Sequence, residues 1–273
     1  MICFRNKQSG FTLIELAVVL VIVGLLVGSL VGSITSRIET TRRDNTIKKL
    51  EEIKLAIFGY ASAQGRLPCP ATALGGGQEQ PAGGGACVTL YGFVPGRTLG
   101  LSGAYNRDNL LIDSWGNPFR YSVSSANVNA FTTAPGGGGS IQEVAAAAIN
   151  GLATLSPDIV ICDGDSTAAT NCAGGPNTLI DTAVFNVLSL GKDGSTFITN
   201  LLPNSDQGEN SSEVAVVANA AGENLAYTVA NNRVFVSKSY SDTASAAGQF
   251  DDLIIWASQY ALYSHLMEAG QLP

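Results

Sequence analysis

Charged side chains are scarce in this chain of 273 residues, where Asp, Glu, Lys and Arg together make up 14% of the sequence. The basic residues are the smaller share, 15 against 22 acidic ones, which leaves a formal net charge of -7. Because affinity for a phosphate backbone rests largely on Lys and Arg, this balance argues against a nucleic-acid partner. With 31 glycines and few charges, the soluble part should hold many turns and long loops rather than charged surface helices.

The sequence patterns of common catalytic sites are also missing. The single histidine, His265, lies in a C-terminal helical pattern without a clear Cys or Ser partner, so we interpret it as a surface or packing residue. There is no nucleophile elbow, no His-Glu-x-x-His and no phosphate loop. We therefore expect no enzymatic activity, and a periplasmic enzyme on a membrane anchor remains as the alternative.

One long hydrophobic run lies near the N-terminus. Residues 16–34 carry no charge and nothing more polar than serine, which meets the roughly 18-residue threshold for a spanning helix. Arg5 and Lys7 precede the run as in an export signal, but the run is too long for a cleaved signal and lacks a small-residue cleavage site at its far end. Glu15 lies at its near edge, where a charge costs on the order of 2.5 to 3.5 kcal/mol, so it needs a partner.

Residues 10–16 read GFTLIEL and closely resemble the cleavage and methylation signature of type IV pilins and of the pseudopilins of type II secretion. The resemblance implies cleavage between Gly10 and Phe11 by a membrane prepilin peptidase, which also methylates the new amino group. It further implies a bacterial inner-membrane protein with its head in the periplasm. An inner-membrane assembly platform would then add this protein to a filament of similar subunits. An uncleaved signal anchor is the alternative.

Cleavage would supply the partner for Glu15, because it creates an α-ammonium at Phe11. Two unit charges about 4 Å apart at an effective dielectric near 20 gain roughly 4 kcal/mol, which is the order of the cost of the carboxylate. The resemblance implies that the stronger pairing forms between neighbouring subunits. We expect Glu15 to set the axial register of an incoming subunit.

A single helix is predicted from residue 11 to about residue 63, because Gly65 and Pro68 end the pattern. Gly24, Gly28 and Gly32 form a stripe that favours close helix packing, either between subunits or in a plain anchor. The predicted division of the chain is a leader at 1–10, a transmembrane and filament-core helix at 11–35, an amphipathic continuation at 36–64 and a head at 65–273. The apolar stripe of the continuation consists of Ile47, Leu50, Ile53, Ile57 and Tyr60.

The basic residues oppose this topology. Five of them, between residues 37 and 49, follow the run and outnumber Arg5 and Lys7 before it, against the positive-inside rule. We give more weight to the cleavage signature and to the cysteines.

Removal of the leader would take Cys3 with it and leave four cysteines in two close pairs, Cys69 with Cys87 and Cys162 with Cys172. Each pair spans a loop poor in apolar residues, and no histidine lies nearby to suggest zinc. Loop disulfides in an oxidising periplasm are the favoured interpretation, and four reduced thiols in a cytosolic domain are the alternative.

The order of elements in the head, helix first and strands afterwards, predicts an α+β fold with an antiparallel sheet on the apolar stripe, as in a type IV pilin. An Ala-rich segment at 136–153 and the segment at 256–270 have helical patterns. The strand candidates are NPFRYSV at 117–123, DIVIC at 158–162, DTAVFNVLSL at 181–190 and NRVFVSKS at 232–239.

Three further segments resemble major pseudopilins: DSWGNPFRY at 113–121, SLGKDG at 189–194 and FDDLIIW at 250–256. In that family the last two border a calcium loop, and carboxylate and carbonyl oxygens suit this cation. The resemblance implies carboxylates from Asp193 and from Asp251 or Asp252, with a carbonyl from Leu190. About 55 residues separate the two segments here, where the family has a short loop, so a plain turn and a solvated strand start are the alternative.

We expect a structural subunit, a pilin or pseudopilin, that assembles into a helical filament after leader cleavage. The alternative is a minor pilin at the filament tip that acts as an adhesin or ligand-binding module, which the length of the insertions favours.

Overall fold

A computed structural model describes residues 12–147, 151–164, 171–172, 176–192, 194, 207, 210, 216–218, 224–226, 233–241 and 249–272, without the side chains of 27–36, 216–218 and 224–226. The predicted leader and Phe11 lie outside the described residues, as does part of the predicted membrane segment 11–35. The chain divides into two compact units, residues 1–44 and 45–273.

The first helix, α1, runs from Leu13 to Gln64, in agreement with the predicted helix. Its end has a local cause: Gly65 adopts φ +69° and donates its N–H to the carbonyl of Ala61 at 2.7 Å. A glycine in this left-handed conformation is a common helix C-cap, since a side chain there would be strained. Within the part of the chain that the structure describes, no helix is both long and apolar enough to cross a membrane.

The head has an α+β architecture, as predicted, built on one six-stranded sheet. The strands of the sheet are β1 Tyr91–Phe93, β2 Arg120–Val123, β3 Ile159–Cys162, β4 Thr178–Ser189, β7 Val234–Val236 and β8 Leu253–Ser258. The longest strand, β4, has β8 along one side and both β2 and β3 along the other, since Ala183 pairs with β3 and β8 while Leu188 pairs with β2 and β8.

The sheet is not wholly antiparallel, contrary to the prediction. Strand β7 runs parallel to β3, with Val160 beside Val234 and Cys162 beside Val236. The remaining pairs in the sheet are antiparallel. Strand direction follows from the path of the chain between β4 and β7, which the alternation of residue types does not encode. Strands β5 Val216–Ala218 and β6 Asn224–Ala226 form a separate hairpin.

The remaining elements are short. One left-handed helical turn lies at Ala126–Asn129, and a 3-10 turn at Gly151–Thr154 follows helix α2, Ile141–Ala147. The C-terminal helix α3 is Gln259–Glu268, with Ser258 as its N-cap. The prediction started this helix too early, because Trp256 and its neighbours belong to β8.

One face of the sheet packs against the part of α1 that belongs to the head. Leu50, Ile53 and Ile57 are buried in the main core cluster, as the stripe predicted. Ile47 is 39% exposed, so that part of the prediction is wrong. The buried residue at this level is Thr46, because spacings of four and three place it on the same helix face as Leu50 and Ile53. Its hydroxyl donates a hydrogen bond to Ser114 Oγ at 3.0 Å.

Both predicted disulfides are present in the head. Cys69 is bonded to Cys87, and Cys162 to Cys172. The first bond closes a loop that follows α1, and in the chain-entropy model such a crosslink contributes about 3 kcal/mol.

A buried carboxylate, Glu79, organises the inside of that first loop. It accepts two hydrogen bonds from Arg66, at 2.8 and 2.9 Å, and one from the hydroxyl of Tyr60 at 3.0 Å. The backbone N–H groups of Cys69 and Gly83 donate to it as well, both at 3.2 Å. One side chain thereby joins the end of α1 to the first cysteine of the disulfide loop and to Gly83 inside the loop.

The ion pair sets the charge of this cluster. Burial alone would raise the pKa of Glu79, but the hydrogen bonds and positive charge of Arg66 hold that pKa below its ordinary value of 4.5. Burial also raises the pKa of Tyr60 to about 12, so its hydroxyl keeps its proton at neutral pH. Arg66 and Glu79 therefore form a fully charged pair with side chains only 4% and 8% exposed.

Replacement of Glu79 by Gln should lower the free energy of unfolding by about 3 to 5 kcal/mol, because it leaves Arg66 buried without a counter-charge. A lowered native pKa stabilises the fold above pH 4.5, and this contribution is lost as the pH falls through the native value. Urea unfolding at a series of pH values should therefore show a smaller acid-side loss for Glu79→Gln than for the wild type. Glu52→Gln, at a surface pair with Lys49, is the control and should change little. Equal pH slopes in the wild type and Glu79→Gln would contradict the assignment.

Candidate functional site

The first candidate site is the start of α1. Leu13 is the first helical residue, and Thr12 accepts a hydrogen bond on its Oγ1 from the N–H of Glu15 at 3.3 Å. Thr12 therefore acts as the N-cap, and Glu15 occupies the third helical position, where a carboxylate interacts favourably with the helix dipole. This second role of Glu15 was not predicted, although the spacing Thr-x-x-Glu indicates it.

The surroundings of Glu15 are apolar and exposed. Large hydrophobic side chains from Leu13 to Leu26 have between 48% and 87% of their surface exposed. A continuous apolar surface of this kind marks a region that contacts lipid or another protein. Gly10 and Phe11, the predicted cleavage and methylation residues, lie outside the described residues.

The second candidate site is the place where the three segments that resemble pseudopilins meet. The side chain of Asp113 accepts hydrogen bonds from the N–H groups of Trp115 and Asn117, at 2.9 and 2.8 Å, and from the hydroxyl of Ser189. The amide of Asn117 donates to the carbonyl of Gly191 at 2.6 Å. The turn at 113–117 is thereby fixed to the end of β4.

Asp251 joins the third segment to the same place. Its Oδ2 accepts the N–H of Lys192 at 2.7 Å, one residue after Gly191. We call Asp113, Asn117, Ser189, Gly191 and Asp251 the motif cluster. Four of its members are buried side chains and the fifth is a buried glycine, so the cluster fixes the turn between β4 and the following chain rather than presenting a surface.

Burial shifts the pKa of the Asp113 carboxyl. It raises the pKa of this carboxyl above its ordinary value, while the hydrogen bonds from Ser189, Asn117 and Trp115 act in the opposite direction. A carboxyl in this setting serves as an acceptor that holds a turn. Its donors are fixed groups of the protein, which is the arrangement of a structural residue.

The calcium prediction concerns Leu190, Asp193, Asp251 and Asp252. Leu190 is buried in the second core cluster, and Asp251 and Asp252 are only 7% and 5% exposed, so they are not a solvated strand start. Asp193 lies outside the described residues.

The described groups around the two acids do not fit a calcium shell. Asp251 accepts N–H bonds from Lys192 and from the side chain of Gln207, and Asp252 accepts one from the side chain of Asn210 at 2.9 Å. Calcium prefers six to eight oxygen ligands, whereas these contacts place N–H donors at the carboxylates. Among the described residues, no group of three or more Asp, Glu, His or Cys could hold a metal. Because Asp193 is not described, the calcium site as a whole stays a prediction.

Other titratable side chains, outside the two candidate sites, have packing or capping roles. His265 stacks on Phe58 with ring centroids 4.3 Å apart, which agrees with its interpretation as a packing residue. Glu143 and Ser140 form a reciprocal cap at the start of α2, with the N–H of Ser140 donating to Glu143 at 3.0 Å and that of Glu143 donating back at 3.4 Å.

A comparison with protein-family models now bears on the first site. The model described as the prokaryotic N-terminal methylation motif matches residues 5–31, which include Gly10, Phe11 and Glu15. The chain carries the signature of type IV pilins and pseudopilins. This signature supports a pilin or pseudopilin class of protein and implies processing by a prepilin peptidase.

The match ends before the head begins. Searches of curated proteins and of solved structures gave no match to the chain. The head has an α+β architecture, and its structural similarity to the type IV pilin fold stays a prediction.

Gly191 provides a test of the motif cluster. It has φ +64°, and an added Cβ would lie 2.6 Å from the carbonyl oxygen of Asp251 and 2.7 Å from its carboxylate. Gly191→Ala should therefore lose about 1 to 2 kcal/mol through backbone strain and a further 1 to 3 kcal/mol, on the order of an overpacked site, through the close approach.

Gly100→Ala is the matched control for this prediction. Gly100 has φ +65° and no atom within 4 Å of its added Cβ, so only the backbone strain should appear. Urea unfolding of both variants measures the difference. Equal losses would show that Gly191 does not need its close contact with Asp251.

Proposed function

We propose that this protein is a structural subunit of a type IV pilus or a type II secretion pseudopilus, assembled into a helical filament after its leader is removed. The observation that carries the proposal is the methylation motif at residues 5–31, which lies at the start of a helix with an exposed apolar surface. In this proposal the inner membrane holds residues 11–35 before assembly, and the head lies in the periplasm. Two disulfides in the head support an oxidising compartment.

The proposal gives Glu15 a function that its cap position alone does not require. The N–H of Glu15, rather than its carboxylate, bonds Thr12 in the described helix, so the carboxylate is available for contact with another chain. An apolar surrounding strengthens its attraction to an α-ammonium. We propose that this ammonium is the methylated N-terminus of a neighbouring subunit at Phe11.

A catalytic role has no support among the described residues. Their buried polar clusters, around Glu79 and in the motif cluster, are closed by hydrogen bonds inside the protein. Apart from the length of the insertions, no observation on the described part of the head favours a tip adhesin over a main subunit. The structural subunit therefore stands as the proposed function.

The leader should be absent from the functional protein. Mass spectrometry of protein isolated from filaments in the native host should find a chain that begins at Phe11 with a methyl group on its amine. The reason is that only a free amine at residue 11 can carry the charge that Glu15 needs. Residues 1–10 still attached in assembled protein would overturn the filament proposal.

Glu15→Gln and Glu15→Ala should both reduce filament assembly by at least about tenfold, the equivalent of 1.4 kcal/mol in a pairing contact of roughly 4 kcal/mol. Quantification of sheared or purified filaments against total cellular protein measures this loss. The matched control is Glu51→Gln, a neutralised exposed acid in the same helix, which should assemble as the wild type does. Normal polymerisation of Glu15→Ala would remove the proposed pairing.

A further inference from the structure

Asp251 and Asp252 are adjacent acids at the start of β8, and both are buried. Two neighbouring buried carboxylates are costly unless positive charge or hydrogen-bond donors compensate them. The donors here come from distant parts of the sequence. Gln207 and Asn210 supply them, and both are themselves buried, 3% and 0% exposed.

The orientation of the Asn210 amide is fixed by the backbone of β7. Its Oδ1 accepts the N–H of Val236 at 2.7 Å, and its Nδ2 donates to the carbonyl of Val236 at 2.8 Å. An amide turned the other way would oppose donor to donor and acceptor to acceptor at Val236. Nδ2 is therefore the atom that faces Asp252, at 2.9 Å, and it brings hydrogens rather than an oxygen ligand.

Asn210 also connects β1 and β7, two edge strands of the sheet. The hydroxyl of Tyr91, in β1, donates to the carbonyl of Asn210 at 2.7 Å, while the Asn210 side chain pairs with Val236 in β7. Val236 presents these backbone groups away from β3, since the neighbouring residue Ser237 donates to Cys162 of that strand. The asparagine side chain thus occupies a position on β7 at which another strand could otherwise pair.

Asp251 is held in the same manner from the other direction. Its Oδ1 faces the amide nitrogen of Gln207, and its Oδ2 accepts the N–H of Lys192. Lys192 follows Gly191, so this contact continues the motif cluster. We call Gln207, Asn210, Asp251 and Asp252 the amide clasp.

We propose that the amide clasp fastens the chain between β4 and β8 to the sheet without a metal ion, with the amide N–H groups of Gln207 and Asn210 at the positions where a cation would act. A carboxylate needs positive charge or donors, and side-chain amides of a long insertion can deliver the donors from within the chain. The Asn210 side chain of the clasp also occupies the backbone N–H and carbonyl of Val236, so these groups of β7 are not open to another strand. The stability of the clasp should not depend on calcium.

Thermal unfolding of the full-length protein in detergent tests the proposal. The Tm should be the same in EDTA and in millimolar calcium, because no bound metal stabilises the native state. Calorimetric titration with calcium should give no binding heat. A Tm that falls by several degrees in EDTA and returns with calcium would overturn the proposal, and this result does not depend on any variant folding.

Variants distinguish stabilisation by the amide clasp from stabilisation by a bound metal ion. Asn210→Ala and Asn210→Asp should lower the Tm equally with and without calcium, because both remove the donor to Asp252 and to Val236. Tyr91→Phe is a milder variant that loses one contact to Asn210 and should lower the Tm less. Asn177→Ala, which removes an exposed amide bonded to Asp163, is the matched control and should leave the Tm nearly unchanged. A calcium-dependent gain in the Tm of the wild type that Asn210→Ala abolishes would show that a cation belongs there and would overturn the proposal.

Discussion

The buried pair of Arg66 and Glu79 is the contact on which the junction between helix and head depends. Glu79 receives five hydrogen bonds: one from Tyr60 in α1, two from Arg66 after the C-cap glycine, and one each from the N–H groups of Cys69 and Gly83 in the first disulfide loop. A buried ion pair is not by itself a source of stability, since desolvation offsets its attraction. Its effect here is to hold Tyr60, Arg66 and two backbone N–H groups of the loop around one carboxylate.

The same physical solution recurs at the other polar clusters of the head. Asp251 and Asp252 accept N–H groups from segments distant in sequence, and Asp113 accepts two local N–H groups together with the hydroxyl of the distant Ser189. Loops with few apolar residues gain little from burial, so internal hydrogen bonds and crosslinks determine their conformation. The same hydrogen bonds compensate the burial of the carboxylates of Asp113, Asp251 and Asp252.

The sequence predicted the parts of this protein that depend on local pattern. The helix end at Gly65, the cysteine pairs and the central strands follow from residue type and spacing, and the structure confirms them. It did not predict the parts that depend on partners far along the chain. Ile47 is apolar and fits the stripe, but the buried position belongs to Thr46, whose hydroxyl has its hydrogen-bond partner in Ser114, far along the chain. The parallel β7 and the donors Gln207 and Asn210 likewise follow from the path of a long insertion.

Two glutamates, Glu15 in the first turn of α1 and Glu79 in the loop that follows the helix, make two kinds of contact. Glu79 is satisfied inside its own chain, by Arg66, Tyr60 and two backbone N–H groups. Glu15 lies among exposed apolar side chains, at a helix start that its own residues already cap. In the proposed membrane or filament setting, a carboxylate among these side chains is costly until an opposite charge reaches it. The cluster around Glu79 is closed within one chain, whereas the proposed role of Glu15 requires a charge from a neighbouring subunit.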